Sequence, residues 1–412
     1  MNATTFDEKR FVVLADCLAV ALAVSLPWST SATAIIAGLW LLACMPTLDV
    51  QSFRRVLFIP AGALPVLLVI LGGLGMLWAD VSWAERFDGI GSFIKFLFIP
   101  LLLYRFCRSD RGRQVLIGFV ASCAVLLVVS WSLWAWPWLP WLTAVKSPGI
   151  PVKDYISQSA MFTICALVIL RFAFDMWQTN RRQLAVVLSI LALAFLANVF
   201  YVATSRTFLL VIPVLLIVFG YQTFGWKGAV SLVVGIILLA MAAWPSASSL
   251  RLRVGSFFDE VRAYQPTAIP TPAGERMEFW RKSLGFIREA PLFGHGTGSI
   301  RDQFRRSVAG QRGMAAEIAA NPHNQTLAVG IQLGLIGIAV LLAMWIAHLA
   351  LFRPDSFAAW VGLVVVVQNI VGSLFNSHLF DFTQGWAYVI GVGVAGGIVL
   401  RESGALSEKL SA

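Results

Sequence analysis

Between residues 11 and 400 this chain alternates long apolar stretches with short charged runs, and that alternation restricts it to a membrane-spanning helical fold. The stretches are roughly 17–25 residues long, the length a helix needs to cross the hydrocarbon core. Inside lipid every backbone N–H and C=O must find a partner within the protein, which leaves helices and closed barrels. With 58% hydrophobic and 13% charged residues and a mean hydropathy of +0.79, the composition suits a polytopic helical protein and no soluble domain. The expected fold is therefore an all-α polytopic membrane protein. Twelve apolar segments are legible, at about 11–28, 31–46, 56–79, 89–106, 114–136, 156–176, 183–203, 207–222, 227–244, 323–351, 357–375 and 384–400. Trp28, Trp78, Trp136, Trp138, Trp141 and Trp244 fall near their ends, as an interfacial aromatic belt requires.

Loop charge sets the expected orientation. The loops on one side hold 15 Lys and Arg residues, against four (Arg86, Lys146, Lys153, Arg206) in the short loops of the other. The basic side faces the cytoplasm under the positive-inside rule, which places both termini there. The N-terminal Lys9-Arg10 followed by an apolar run resembles a signal peptide. Its acidic residues and the immediately following apolar segment favour a retained first span. The five cysteines lie in or beside apolar spans, with neither disulfide nor metal-ligand spacing. The net charge of +10 reflects topology and phosphate contacts rather than nucleic acid.

Spans 1–9 (residues 1–244) and spans 10–12 (323–412) flank a 78-residue polar insert, 245–322, which holds 11 of the 31 Lys and Arg residues. Loops of that length rarely serve as mere connections, and this one is expected outside the cytoplasm with an anionic partner. Residues 275–287 read as an amphipathic helix with Phe279, Trp280, Leu284 and Ile287 on one apolar face, behind a stiff linker containing Pro266, Pro270 and Pro272. Such a helix either lies on the bilayer surface or caps the bundle.

Candidate functional residues collect on the outward face. His323, in Pro322-His323-Asn324 before the tenth span, suits a general base because imidazole is mostly neutral at pH 7. The same position also suits a structural histidine at a helix N-terminus, with Asn321 as N-cap. Arg206 opens the eighth span, where a guanidinium opposes the helix dipole unless an anion joins it. Arg276, beside Glu275, and Arg281 lie on the insert helix about 140° apart, and Arg281 and Lys282 have Glu278 within pairing distance. His378 and Asp381 share the turn after span 11, placed either for sugar hydroxyls or for capping the last span. Lys146, Lys153 and Tyr155 are weaker candidates, and His295 in Gly-His-Gly-Thr-Gly-Ser reads as a turn.

These motifs resemble the O-antigen ligase and polymerase superfamily of bacterial envelope enzymes. His323-Asn324, nine residues, then Gly334-Leu335-Ile336-Gly337 match its His-[Asn/Ser/Gln]-x9-Gly-x-x-[Gly/Thr/Tyr] pattern, and Arg206 through Leu210 fits its Arg-x3-Leu element. The segment GERMEFWRKSLGFIREAPLFGHGTGS looks like its outward loop. The resemblance implies an inverting, metal-independent glycosyltransferase at the periplasmic face of the inner membrane. Its donor is an undecaprenyl-diphosphate-linked O-antigen and its acceptor the lipid A-core oligosaccharide, with no cofactor and no nucleic acid. It singles out His323 as catalytic base and Arg206 as diphosphate ligand; beside them Arg276 and Arg281 are read as further diphosphate ligands, with Asn324, His378, Asp381 and Glu275 as candidate supporting residues.

A glycan polymerase and a protein O-glycosylating enzyme share these features and remain open alternatives. A secondary transporter predicts two related halves and charges at the bilayer midplane. Here the halves look dissimilar, and Lys95 is the one evident mid-span charge.

Overall fold

The computed structural model describes residues 3–141, 147–243, 255, 259–266 and 269–404. The expectations placed on Lys146, on Trp244 and on positions 245–254, 256–258 and 267–268 of the insert fall outside these residues. Described elements run α1 (Ala3–Ser25), α2 (Thr30–Cys44), α3 (Val50–Leu57), α4 (Pro60–Gly75), α5 (Trp83–Ile94), α6 (Phe98–Arg108), α7 (Gly112–Ala135), α8 (Tyr155–Gln178), α9 (Arg182–Tyr201) and α10 (Arg206–Ala243). After these come α11 (Pro272–Glu289), α12 (Ile300–Ser307), α13 (Gln325–Leu351), α14 (Phe357–Gly372) and α15 (Phe382–Glu402). Among the described residues there is no strand, so the chain is an all-α polytopic membrane protein.

Among the described residues, eight helical segments are long and apolar enough to cross a membrane, nine if the bent α3–α4 pair forms one span. That is fewer than the twelve segments read from hydropathy, and the differences are local. The expected span 56–79 becomes two helices bent by 85°, because Pro60 starts a new helix after extended Ile59. Helix α14 has only 16 residues. Helix α10 counts once yet holds two expected segments, because Gly225 (φ 68°, ψ −160°) breaks it. Eight residues of straight helix rise about 12 Å, yet a Cβ on Gly220 would lie 2.8 Å from the Gly228 carbonyl oxygen. The two halves therefore fold back on one another at Gly225.

The same break recurs at Gly334 (φ 63°, ψ −159°), so residues 325–351 are a half-helix and a longer helix rather than one continuous span. A break frees backbone groups that lipid cannot satisfy, so the protein must supply partners. The loop after α11 does so. Leu335 and Ile336 donate to the carbonyls of Pro291 and Leu292, while His295 and Gly296 donate to those of Ile331 and Gln332. Thr297 and Gly298 tie the loop to the Gly75 carbonyl and the Gln332 side chain. The Gly-His-Gly-Thr-Gly-Ser segment is thus a turn whose N–H groups are already engaged, in agreement with its sequence.

At the centre lies α15, with every residue from Thr383 to Leu400 buried. It packs against α6, α14 and α7, and Gly393 and Gly397 bring it close to Leu102 and Phe106. Helix α9 instead exposes Val187, Ile190 and Leu193, an apolar surface suited to lipid.

Candidate active site

Three elements converge: the turn 373–381 between α14 and α15, the segment 321–324 before α13, and α11. Asn324, not Asn321, caps α13, its side chain accepting from Leu327 N–H at 3.1 Å. The helix starts later than expected because His323 takes a left-handed backbone (φ 54°), which a continuing helix excludes. Asn321 serves His323 instead. Its Oδ1 accepts the His323 N–H at 2.8 Å and the Ser377 hydroxyl at 2.7 Å. The unusual backbone aims the imidazole at the turn, where Nδ1 lies 3.0 Å from Asn376 Oδ1.

The chemistry at both ends of this chain fixes the histidine tautomer. A backbone N–H only donates, so Asn321 presents Oδ1 to His323 and its Nδ2 to Asn376 Oδ1, at 3.2 Å. At the other end Asn376 Nδ2 donates to Asp381 Oδ2 at 2.9 Å. Asn376 therefore offers His323 an oxygen, which requires the proton on Nδ1 and leaves Nε2 as a bare lone pair. Nε2 has no hydrogen-bond partner among the described residues. Burial, the largest cause, holds the His323 pKa below 6.5; the bond to Asn376 opposes it, and weaker effects come from the Arg276 charge, which lowers it, and from Asp381, which raises it. A neutral ring with an open nitrogen is the resting state at pH 7.

Asp381 is itself held from beneath. Buried Lys95 donates to the carbonyls of Phe380 and Asp381 at 3.0 and 2.9 Å, which accounts for the mid-span charge in the sequence. His378 bonds Asp381 Oδ2 at 3.3 Å but is buried. The two do not open on the same space: Asp381 lines two large cavities, and His378 lines a pocket of about 20 Å³ beneath them. The large cavities, of about 750 and 500 Å³, lie on either side of the Asn376–Asp381 turn.

Helix α11 caps the bundle instead of lying flat on a bilayer. Thr271 caps its N-terminus and Pro272 opens it, so this proline belongs to the helix rather than to the linker. Its buried face consists of Phe279, Lys282, Ser283 and Phe286, packed on Ile300, Phe304, Ala328 and Ile331. Leu284 points outward, 48% exposed, contrary to the single apolar face read from spacing. Burial follows the short satellite core under the insert, which admits the aliphatic stem of Lys282 once its ammonium reaches the Ala315 carbonyl. Phe279 stacks on the His323 ring, centroids 6.2 Å apart.

One turn before Phe279, Arg276 is half-buried within electrostatic reach of His323, Arg206, Tyr155 and Glu260. It has no carboxylate at ion-pair distance among the described residues. Arg206 opens α10 as expected and reaches Glu260 only at 4.0 Å, while Glu260 also accepts the Ala273 N–H of α11. Arg281 is placed differently: Glu278 accepts two bonds from its guanidinium, at 3.0 and 2.6 Å, and Tyr264 closes the group. Glu275, whose pKa burial raises, neighbours Glu317 rather than the histidine. The structure thus gathers His323, Arg206, Arg276, Asn324 and Asp381 around one site and turns Arg281 aside. Asn321, Asn376 and Glu260 acquire contacts that the sequence did not single out.

Residues 191–342, spanning Arg206 to the helix break beyond His323, match the model of the family described as O-antigen ligase. The chain is also 25% identical over 178 residues to an uncharacterized protein of Haemophilus influenzae. That similarity covers 41% of this chain and 43% of the relative's length.

Proposed function

We propose, from the similarity of residues 191–342 to the O-antigen ligase family, that this multi-pass membrane protein joins a polymeric glycan carried on undecaprenyl diphosphate to the lipid A-core oligosaccharide. The reaction takes place at the periplasmic face of the inner membrane, with both termini in the cytoplasm. The observation that carries this reading is a half-buried imidazole, held in one tautomer, beside an arginine that lacks a carboxylate partner.

His323 Nε2 removes the proton from an acceptor sugar hydroxyl as its oxygen attacks the donor's anomeric carbon. The bond from that carbon to the diphosphate oxygen breaks on the opposite face, so the product is inverted. The departing oxygen keeps the electron pair, and Arg206 and Arg276 stabilise the charge it gains. Asn376 accepts the Nδ1–H throughout, and Asp381 keeps the Asn376 amide turned the right way. Arg281, engaged with Glu278, secures α11 rather than binding diphosphate. Purified protein supplied with lipid-linked donor and, in turn, lipid A-core, free glycan or a pilin-type protein tests the reading. Transfer to lipid A-core is the expected result. Transfer only to glycan or protein would instead indicate a polymerase or a protein-glycosylating enzyme.

A further inference from the structure

We propose that the cavity of about 750 Å³ beside the Asn376–Asp381 turn is the acceptor compartment and selects a sugar bearing an anionic substituent, which it binds through Lys153. This inference rests on the glycosyl-transfer reading above and identifies one of its two substrates.

The cavity lies between the α1–α2 turn, the start of α8 and the start of α15, and Asn376 and Asp381 form part of its wall. It therefore adjoins the residues that orient His323. No residue of the insert lines it, and neither do Arg206 and Arg276. A compartment next to the base but apart from the diphosphate arginines suits the substrate that supplies the attacking hydroxyl.

Its lining suits carbohydrate. Ser29, Thr30, Ser157 and Gln384 offer hydroxyl and amide groups. Trp28 donates its ring N–H away to Ser122 at 2.8 Å, so it presents indole surface to the cavity. A few polar groups around an aromatic surface, at this volume, are usual for small-molecule sites.

Lys153 gives the site its charge preference. Its ammonium donates to the Thr383 hydroxyl at 2.9 Å and stands 5.7 Å from the centre of the Phe382 ring. Among the described residues no carboxylate lies at ion-pair distance from it. The neighbouring Asp154 carboxylate is occupied with the N–H groups of Ile156 and Ser157 and the Ser157 hydroxyl. Burial pushes the Lys153 pKa down to about 8, the mark of a cation short of a partner. At the same wall α15 begins without a side-chain cap, the carboxylate of its N-cap residue Asp381 being engaged with Asn376 and His378, and its positive dipole end adds to the field. A phosphate monoester or sugar carboxylate would satisfy both.

The test uses the full chain in nanodiscs and two probe pairs. One is a hexose disaccharide with and without a phosphate monoester, the other a uronic-acid disaccharide and its neutral twin. Binding without donor, and the KM of each as acceptor, are measured for wild type, Lys153→Met and Lys153→Arg. The proposal expects wild type to prefer at least one anionic probe by about tenfold or more. Lys153→Met abolishes that preference, and Lys153→Arg restores most of it. Equal binding of both twins by wild type overturns the proposal. So does a Lys153→Met effect confined to donor KM, or one that falls equally on charged and neutral probes. If the binding preference appears but no probe or lipid A-core accepts glycan, the transfer reading fails while the anionic-sugar site stands.

Discussion

His323 Nδ1 lies 3.0 Å from Asn376 Oδ1, and that single contact decides which imidazole nitrogen can act as a base. An amide, unlike a carboxylate, orients the ring without attracting a proton to it strongly. Asn376→Leu, which leaves Nδ1 without an acceptor, should lower the rate of transfer by about 10²–10⁴-fold, the range of a general base. Asn376→Asp should keep the tautomer while its charge raises the His323 pKa. Because the neutral ring is the active form, the acidic limb of the pH–rate profile then moves to higher pH. An unshifted limb with uniformly reduced activity would count against the relay.

His323→Ala should reduce transfer by about 10²–10⁴-fold while the protein still folds, since the half-buried ring rests on Phe279 without filling the main core. Accumulation of lipid-linked donor in cells and loss of product in vitro would verify it. Near-normal transfer would remove the base assignment.

Arg276→Gln should show two effects together. Loss of a donor to developing charge costs about 2.7–4 kcal/mol in transition-state stabilisation, roughly 10²–10³-fold in rate. Removing the Arg276 charge also relieves one cause of the lowered His323 pKa, so the acidic limb moves to higher pH. Arg206→Lys should lose the bidentate fork and weaken donor use despite unchanged charge. Arg281→Ala, by contrast, should alter donor KM only a few-fold, because its guanidinium is held by Glu278. Donor kinetics on the three variants separate these roles.

Gly334→Ala should destabilise the protein by about 1–3 kcal/mol, because φ 63° with ψ −159° is a backbone region that essentially only glycine adopts. A Cβ there would also press on the Phe293 N atom at 2.7 Å. Gly38→Ala, in α2 with nothing within 4 Å of the added carbon, should be neutral or slightly stabilising. Thermal unfolding in detergent compares the two.

Much of the candidate site is legible in the linear chain. His323 stands out because the chain has only four histidines, and Arg206 because the short loops grouped with it hold only four basic residues. Arg281 does not follow the arginine pattern, and the reason lies in helix geometry. Three residues from Glu278, it has a carboxylate on its own surface, while Arg276 has none at pairing distance among the described residues. Asn376 carries no signal at all. An asparagine in a polar turn looks like any other until the fold brings it within 3.0 Å of a histidine 53 positions away.

Hydrophobic run length is a one-dimensional property that lipid reads directly, so the membrane-embedded helical class, most segment positions and the polar insert are legible in the chain alone. The fold was needed to show that the His-Asn-x9-Gly spacing measures a half-helix ended at Gly334 and completed by the 291–298 loop. It also decided the histidine tautomer and the burial of Lys95 beneath Asp381. Each depends on hydrogen bonds between residues far apart in the chain, and local periodicity contains no record of those.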